Sequence, residues 1–256
     1  MDFIISAAND IGTTKKTNQD SFIAKVINTK IGKIAFAVLC DGMGGLAKGE
    51  VASSTLVNAF DNWSKTRLPL LCEAPINDYD ISNEWSKIAI DYNEKIKTYG
   101  KRCGVSLGTT VTGIMLTSER FYIINVGDTR AYEISANAVQ VLTKDQTVVA
   151  REVELGNITP EQAKVDPRRS VLLQCVGASD VVYPDIFVGN TNKNSVYMLC
   201  SDGFRHEISE AEIFQYMNPA QMTDAVTGKK NMETLIELNK QRQERDNITV
   251  VSIRTF

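Results

Sequence analysis

Aspartates at the ends of apolar runs are the residues of this sequence most suited to chemistry. The apolar run 34–40 leads into Asp41 and Gly42, and the run 196–200 leads through a serine into Asp202 and another glycine. A carboxylate buried at a strand end is costly unless its charge is compensated, and a metal ion is a common compensation. Each Asp-Gly pair is also compatible with a simple tight turn.

Two further aspartates repeat this placement. Asp128 follows the apolar run 121–126, and Asp246 stands shortly before the run 248–251. Neighbouring strands of a sheet bring their ends together, so the four carboxylates could converge on one rim. Converging carboxylates repel one another unless cations lie between them. The alternatives are that Asp246 caps a loop and that Asp128 lies in a surface hairpin with a local ion pair.

The chemistry of such a rim follows from the ions that it can hold. Hard divalent cations accept carboxylate and carbonyl oxygens as ligands, with water completing the shell. Two cations that share a water lower its pKa, and the resulting hydroxide can attack a phosphoryl group without a protein nucleophile. His206 is the single histidine, which excludes a multi-histidine zinc site and makes Mg²⁺, Mn²⁺ or Ca²⁺ the expected metals. We expect His206 itself to be a partly exposed loop residue.

Composition narrows the class of protein. The 256 residues are 43% hydrophobic and 23% charged, which suits one large globular domain or two small ones. The net charge of −3 does not favour a nucleic-acid partner. The sequence has no apolar run long enough for a membrane span, and its N-terminus lacks the pattern of a signal peptide. Five cysteines without a CxxC pair indicate a reducing, cytoplasmic setting.

The elements that must position the aspartates are read from apolar spacing and turn signals. Residues 68–80, with two prolines, are predicted to form a loop, and the strand 33–41 is predicted to be central. Short links within 106–142 favour antiparallel neighbours, and the element order indicates an α+β fold. The predicted strands are 3–10, 21–27, 33–41, 106–116, 120–126, 130–134, 139–142, 170–176, 181–188, 195–200 and 248–254. Helices are predicted at 51–63, at 85–96 with an end near Gly100, at 148–155, after the capping boxes at Thr159 and Ser209, and at 231–244.

In chain order, the motifs around these aspartates resemble those of the PPM family of metal-dependent Ser/Thr protein phosphatases, also called type 2C, in its compact bacterial form. The resemblance implies a four-layer αββα sandwich, in which two central antiparallel sheets are flanked by pairs of helices. Residues 1–256 would form one catalytic domain, with a flap segment at about 148–169. The matching stretches span nearly the whole chain and are 17–21, 41–45, 106–110, 126–132, 142–145, 158–163, 167–169, 199–203 and 245–250.

The resemblance also implies an activity, which is hydrolysis of phosphoserine and phosphothreonine in proteins by a hydroxide that bridges two Mn²⁺ or Mg²⁺ ions. Asp41 would bridge the two ions, Asp202 and Asp246 would hold one of them, and Asp128 would help to hold a third, weaker ion. Phosphorylated proteins, and a Ser/Thr kinase with its targets, are the implied partners. The implied metal-site residues are Asp20, Asp41, Gly42, Asp128, Asp202 and Asp246.

Three positions depart from the family pattern. Lys15 replaces an arginine that grips the substrate phosphate, and lysine lacks the bidentate fork of arginine. Gln19 replaces a glutamate that contacts metal-bound water, and Met43 stands where eukaryotic members have a proposed general acid. These departures leave open a regulatory or binding module without turnover, a pseudophosphatase. A calcium-stabilised structural domain is a further alternative, and Lys15 is compatible with a merely solvated turn.

Overall fold

The computed structural model describes residues 1–43 and 48–256, and it contains two antiparallel β-sheets. The first sheet has the strand order β1-β11-β10-β7-β8, and the second has the order β2-β3-β5-β6-β9 with β4 paired to the end of β3. The strands are β1 (Phe3–Asp10), β2 (Asp20–Thr29), β3 (Gly32–Met43), β4 (Gly108–Thr109), β5 (Val111–Leu116), β6 (Arg120–Val126), β7 (Arg130–Ile134), β8 (Val139–Val141), β9 (Asp185–Asn190), β10 (Val196–Cys200) and β11 (Ile248–Thr255).

Helices cover the outer face of each sheet. The helices are α1 (Gly49–Thr66), α2 (Leu68–Leu71), α3 (Asp78–Cys103), α4 (Val148–Glu154), α5 (Pro160–Val165), α6 (Asp202–Arg205), α7 (Glu210–Met217) and α8 (Ala225–Gln241). Alternate side chains of a strand point to opposite faces, so each central strand serves two cores. Within the described ranges, no helix has both the length and the apolar character needed to cross a bilayer.

Three apolar clusters hold these layers together. On β3, Phe36 and Val38 face α1 and α3, whereas Ala37 and Leu39 face the other sheet. The middle cluster joins Leu39 to residues such as Leu199 and Val251 of the opposite sheet, and a third cluster packs α7 and α8 on that sheet. The central position predicted for the strand 33–41 and the αββα sandwich are both confirmed.

Two tryptophans belong to the core between the helices and the second sheet. Trp63 of α1 and Trp85 of α3 are both buried, and their ring centroids lie 5.5 Å apart in an edge-to-face arrangement. This pair fixes how α1 and α3 cross the outer face of the second sheet, because aromatic rings favour that geometry.

Several boundaries differ from the predictions. Residues 68–80 are not all loop, because α2 begins at Leu68 with a proline in its first turn, where the missing N–H costs nothing. The helix predicted to end near Gly100 starts at Asp78 and continues to Cys103. The strand predicted at 170–176 is wrong, since only isolated bridges are formed there, by Leu172 and Val176. The short helix α6 was not predicted.

The link between β6 and β7 has the largest consequence for the site. The short links β5–β6 and β7–β8 join antiparallel neighbours, as predicted. The link 127–129 instead crosses from one sheet to the other, although it is equally short. It therefore places Asp128 between the two sheets, at the rim where β3 and β10 also end.

Candidate active site

Asp41 lies at the centre of this rim, opposite Asp20 in the register of β3 and β2. Its backbone N–H donates to Thr110 Oγ1 at 2.9 Å, and its carbonyl accepts from Thr109 Oγ1 and from the N–H of Thr110, both at 2.9 Å. The backbone of Asp41 is therefore fixed by β4 and the residue after it. Its carboxylate has only to be directed into the space between the sheets.

The turn expected directly after Asp41 is not formed. The strand β3 continues through Gly42 to Met43, and Gly42 pairs with Thr109. A Cβ at position 42 would lie 2.3 Å from the carbonyl oxygen of Gly49 and 2.5 Å from that of Gln19, so only glycine fits. Gly44 and Gly45 of the predicted glycine-rich turn lie outside the described residues.

Asp202 reaches the rim from the other sheet, as the first residue of α6 after β10. The residue is 6% exposed, and its Oδ1 is buried without a hydrogen-bond partner in the described part of the chain. Gly203 allows α6 to sit here, because a Cβ would come within 2.3 Å of the carbonyl oxygen of Asn247. The strand end predicted from the apolar run thus becomes the start of a short helix.

Asp20 shares this unsatisfied state. Its Oδ2 accepts a hydrogen bond from Thr249 Oγ1 at 2.6 Å, which connects β2 to β11 across the two sheets. Its Oδ1 is buried and has no partner among residues 1–43 and 48–256. Buried polar atoms are nearly always hydrogen-bonded in native proteins, so two orphaned carboxylate oxygens on one rim fit a site for a cationic ligand.

Asp246 and Lys15 occupy the outer edge of the site. Lys15 Nζ lies 2.7 Å from Asp246 Oδ1, and each side chain is 38% exposed. Burial lowers the pKa of Lys15, but the hydrogen bond to Asp246 and the neighbouring carboxylates outweigh it, so the pKa lies above its ordinary value. Lys15 is thus an ion-pair partner of a predicted metal-site residue, rather than only a solvated turn residue.

Asn247 positions the segment that carries Lys15, a role that the local sequence did not reveal. Its Oδ1 accepts from the N–H of Gln19 at 2.8 Å, and its Nδ2 donates to the carbonyls of Ile11 at 2.9 Å and Thr17 at 3.2 Å. The signal in the sequence was its place directly after Asp246. Its function could not be read there because its partners lie about 230 residues away in the chain.

Asp128 is buried, so the alternative of a surface hairpin is wrong. Its side chain is 7% exposed, and Arg205 of α6 donates to its backbone carbonyl at 2.9 Å and lies 3.6 Å from its Oδ2. The local ion pair of that alternative is not formed either, because Arg130 binds Asp145, at 2.7 and 2.8 Å. Asp128 therefore faces both the carboxylate rim and a buried arginine.

The carboxylates share one electrostatic field. Burial raises the pKa of Asp41 well above its ordinary value, and the charges of Asp20 and Asp202 raise it further. Burial and the charge of Asp202 likewise raise the pKa of Asp20 and that of Asp128, each to about 7. In the ranges 1–43 and 48–256, no three acidic, cysteine or histidine side chains already form a coordination shell. The unpaired oxygens and the mutual repulsion nevertheless fit divalent cations with water among their ligands.

His206 was predicted to be a partly exposed loop residue. It lies directly after α6, and its imidazole contacts carboxylates of the site. Its side chain is 13% exposed, with Nε2 at 3.4 Å from Asp202 Oδ2 and Nδ1 at 3.2 Å from Glu244 Oε2. Burial lowers the pKa of His206, but the hydrogen bond to Glu244 and the charge of Asp202 raise it by more.

In the predicted flap segment, Arg168 forms an ion pair with Asp166 at 2.8 Å.

Sequence comparisons assign the chain to a family. Residues 13–237 match the family model described as Protein phosphatase 2C. A putative protein phosphatase 2C-type from Streptococcus pyogenes is 31% identical over 251 residues, which cover 97% of this chain and 96% of that protein. The Serine/threonine protein phosphatase PstP of Mycobacterium tuberculosis is 29% identical over 96% of this chain, which spans 44% of the length of PstP.

Solved structures agree with this assignment. Serine/threonine phosphatase Stp1 from Staphylococcus aureus has a TM-score of 0.84 at 25% identity, over 98% of this chain and 94% of that one. The catalytic domain of PstP in complex with 2 manganese ions has a TM-score of 0.78 at 25% identity, over 98% and 97% of the two chains. The chain belongs to the protein phosphatase 2C family.

Proposed function

We propose that the protein is a metal-dependent Ser/Thr protein phosphatase that hydrolyses phosphoserine and phosphothreonine in proteins. The observation that carries this proposal is the pair of buried, unpartnered carboxylate oxygens of Asp20 and Asp202 beside Asp41. Their repulsion requires cations, and a family relative has been solved with two manganese ions. The activity is that of the named relatives, which are Ser/Thr phosphatases.

The proposed metal ligands are divided between the two sheets. Asp41 and the carbonyl of Gly42 come from β3, and Asp202 and Asp246 flank β10 and β11. When bound, Mn²⁺ or Mg²⁺ ions supply Lewis acidity, which lowers the pKa of water and offsets charge on the phosphate oxygens. Asp20 accepts from Thr249 with one oxygen and keeps the other free for a ligand or its water.

The remaining proposed roles are binding of the substrate phosphate and of a third, weaker metal ion. Lys15 is placed to hold the substrate phosphate through its ammonium group, beside Asp246. Asp128 is the ligand proposed for a third, weaker metal ion. Gln19 donates weakly from Nε2 to Glu50, 3.5 Å away, so a carboxylate stands next to the position where the family has a glutamate. The proposed setting is the cytoplasm, with a Ser/Thr kinase acting on the same phosphorylated proteins.

The proposal is tested by removing one charge at a time from the ligand set. We expect Asp41→Asn or Asp202→Asn to reduce Mn²⁺-stimulated hydrolysis of a phosphothreonine peptide by more than about 100-fold, the upper range for losing an outer-shell partner. Asp180→Asn is the matched control. The side chain of Asp180 is fully exposed, and its carboxylate makes only a long contact, 3.9 Å, with Lys97.

The measurement is the rate at saturating Mn²⁺, with circular dichroism to confirm that each variant is folded. Full activity of either variant, or wild-type activity that is indifferent to a chelator, would contradict the proposal. A wild type that binds Mn²⁺ but shows no turnover on several phosphopeptides would favour the pseudophosphatase.

A further inference from the structure

The residue that follows α6 connects two parts of the site. His206 lies one helical turn after Asp202, and its N–H donates to the carbonyl of Asp202 at 3.1 Å. This spacing brings the imidazole to the same face as the Asp202 carboxylate, with Nε2 at 3.4 Å from Oδ2. The other ring nitrogen lies 3.2 Å from Glu244 Oε2. The imidazole therefore lies between two buried carboxylates.

Glu244 extends this connection to the loop that carries Asp246. Its second oxygen, Oε1, accepts from the backbone N–H of Arg245 at 2.7 Å and from that of Asp246 at 2.8 Å. The carbonyl of Glu244 also accepts from Thr13 Oγ1 at 2.6 Å, which holds the segment leading to Lys15. A continuous set of contacts thus runs from the Asp202 carboxylate through His206 and Glu244 to the backbone of Asp246.

Without the imidazole, this arrangement would be unfavourable. Glu244 is 6% exposed, and Asp202 is similarly buried. Two buried carboxylates repel, and the imidazole separates them, with Nδ1 in a hydrogen bond to Glu244 and Nε2 in close contact with Asp202. Glu244 is also needed by the two N–H groups of the 245–246 backbone, so it cannot turn away without leaving them unpaired.

We propose that His206 and Glu244 are positioning residues that hold Asp202 and the Asp246 loop at the separation needed for metal binding. The inference rests on the proposed function, because it assigns both aspartates to the metal site. Neither positioning residue reacts. They restrict the two ligands before the ions arrive, so their loss weakens metal affinity more than the rate of the loaded enzyme.

The test measures Mn²⁺ affinity directly by calorimetry, in parallel with hydrolysis of a phosphopeptide at increasing Mn²⁺. We expect His206→Leu to weaken Mn²⁺ binding by about 10- to 100-fold, the range seen when hydrogen-bond partners of metal ligands are removed. The rate at saturating Mn²⁺ should stay within a few-fold of wild type. His206→Gln, which restores one N–H donor, should recover part of the affinity, and Glu244→Gln should lose less than His206→Leu.

Arg242→Gln is the matched control. Arg242 binds the carbonyl of Glu207 at 2.6 Å and the carboxylate of Glu212, so its loss loosens the segment after α6 without touching the site. Equal Mn²⁺ affinity in wild type, His206→Leu and His206→Gln would overturn the positioning role, as would the same loss in Arg242→Gln. A wild type that binds no Mn²⁺ would overturn the proposed function itself. If His206→Leu fails to fold, His206→Gln and Glu244→Gln decide the question.

Discussion

Two groups of buried carboxylates lie next to each other on one rim, and they are satisfied in opposite ways. In the first, which we term the open group, Asp20, Asp41 and Asp202 face one another, and two of their oxygens have no partner in the described chain. In the second, the paired group, Asp145 receives two hydrogen bonds from Arg130 and one from Arg205, at 2.7, 2.8 and 3.3 Å.

The pKa values follow this difference. Burial alone would raise the pKa of Asp145, but the charge of Arg205 and the hydrogen bonds of Arg130 outweigh it, so the pKa lies below its ordinary value. In the open group burial also raises the pKa of Asp20. The nearby charges are carboxylates, which raise it further, and the pKa reaches about 7. Removing one partner of a buried ion pair destabilises the fold, whereas a buried carboxylate without a protein cation is available for a ligand.

Arg205 connects the paired group to Asp128, whose carboxyl lies beside the open group, and its loss should produce the largest effect on stability. It lies 3.3 Å from Asp145 and 3.6 Å from Asp128, with 14% of its side chain exposed. Arg205→Met leaves Asp128 without its counter-ion, and we expect a loss of about 3–5 kcal/mol in the free energy of unfolding. Urea denaturation of the metal-free protein measures this.

The control for Arg205→Met is Arg168→Met, because the side chain of Arg168 is 51% exposed and pairs with Asp166 within the predicted flap. Exposed ion pairs contribute little, so the control should unfold at nearly the wild-type urea concentration. If the two variants lost similar stability, the paired group would not be the structural element that its contacts indicate.

The pH dependence of the metal-free protein distinguishes the two groups by sign. A carboxyl whose pKa is raised by folding takes up protons in the native state, so its contribution to stability falls as the pH rises from about 4 to 7. The pKa of Asp20 is raised from 3.8 to about 7, so the wild type should lose stability relative to Asp20→Asn over that window.

The measurement is the melting temperature of wild type and Asp20→Asn in chelator at pH 5 and pH 7.5. Carboxyls with lowered pKa values, such as Asp145, contribute equally to both proteins and cancel in the difference. Added Mn²⁺ should raise the wild-type melting temperature at pH 7.5 by more than at pH 5. A difference between the two proteins that does not change with pH would mean that folding does not raise the pKa of Asp20.

The sequence made the open group accessible to prediction, because an apolar run that ends in an aspartate marks a strand end. Asp41 and Asp202 were found in this way, and the structure brings both to one rim. The prediction that short links join antiparallel neighbours also holds for β5–β6 and β7–β8. The crossing at 127–129 could not be foreseen, since its length is the same as that of a hairpin.

The residues that hold the site together were not predictable from local patterns. Asn247 binds the segment 11–19, and Glu244 binds His206 across 38 positions of the chain. Spacing along the chain contains no information about such contacts, which depend on how β11 pairs with β1 and with β10. The paired group was missed for the same reason, because Asp145 and Arg205 are 60 residues apart.

Lys15 belongs to neither group, and its replacement should have the smallest effect. In the metal-free protein its ammonium group is a counter-ion of Asp246, at 2.7 Å. Cations bound by Asp246 would release it for the substrate phosphate, which arginine would grip with two parallel hydrogen bonds instead of one. We expect Lys15→Arg to raise kcat/KM for a phosphopeptide by about threefold to tenfold, since 1.4 kcal/mol corresponds to a factor of ten. Lys16→Arg, at the neighbouring exposed position, should leave kcat/KM unchanged. The same kcat/KM in Lys15→Arg and wild type would mean that Lys15 serves only as the ion-pair partner of Asp246.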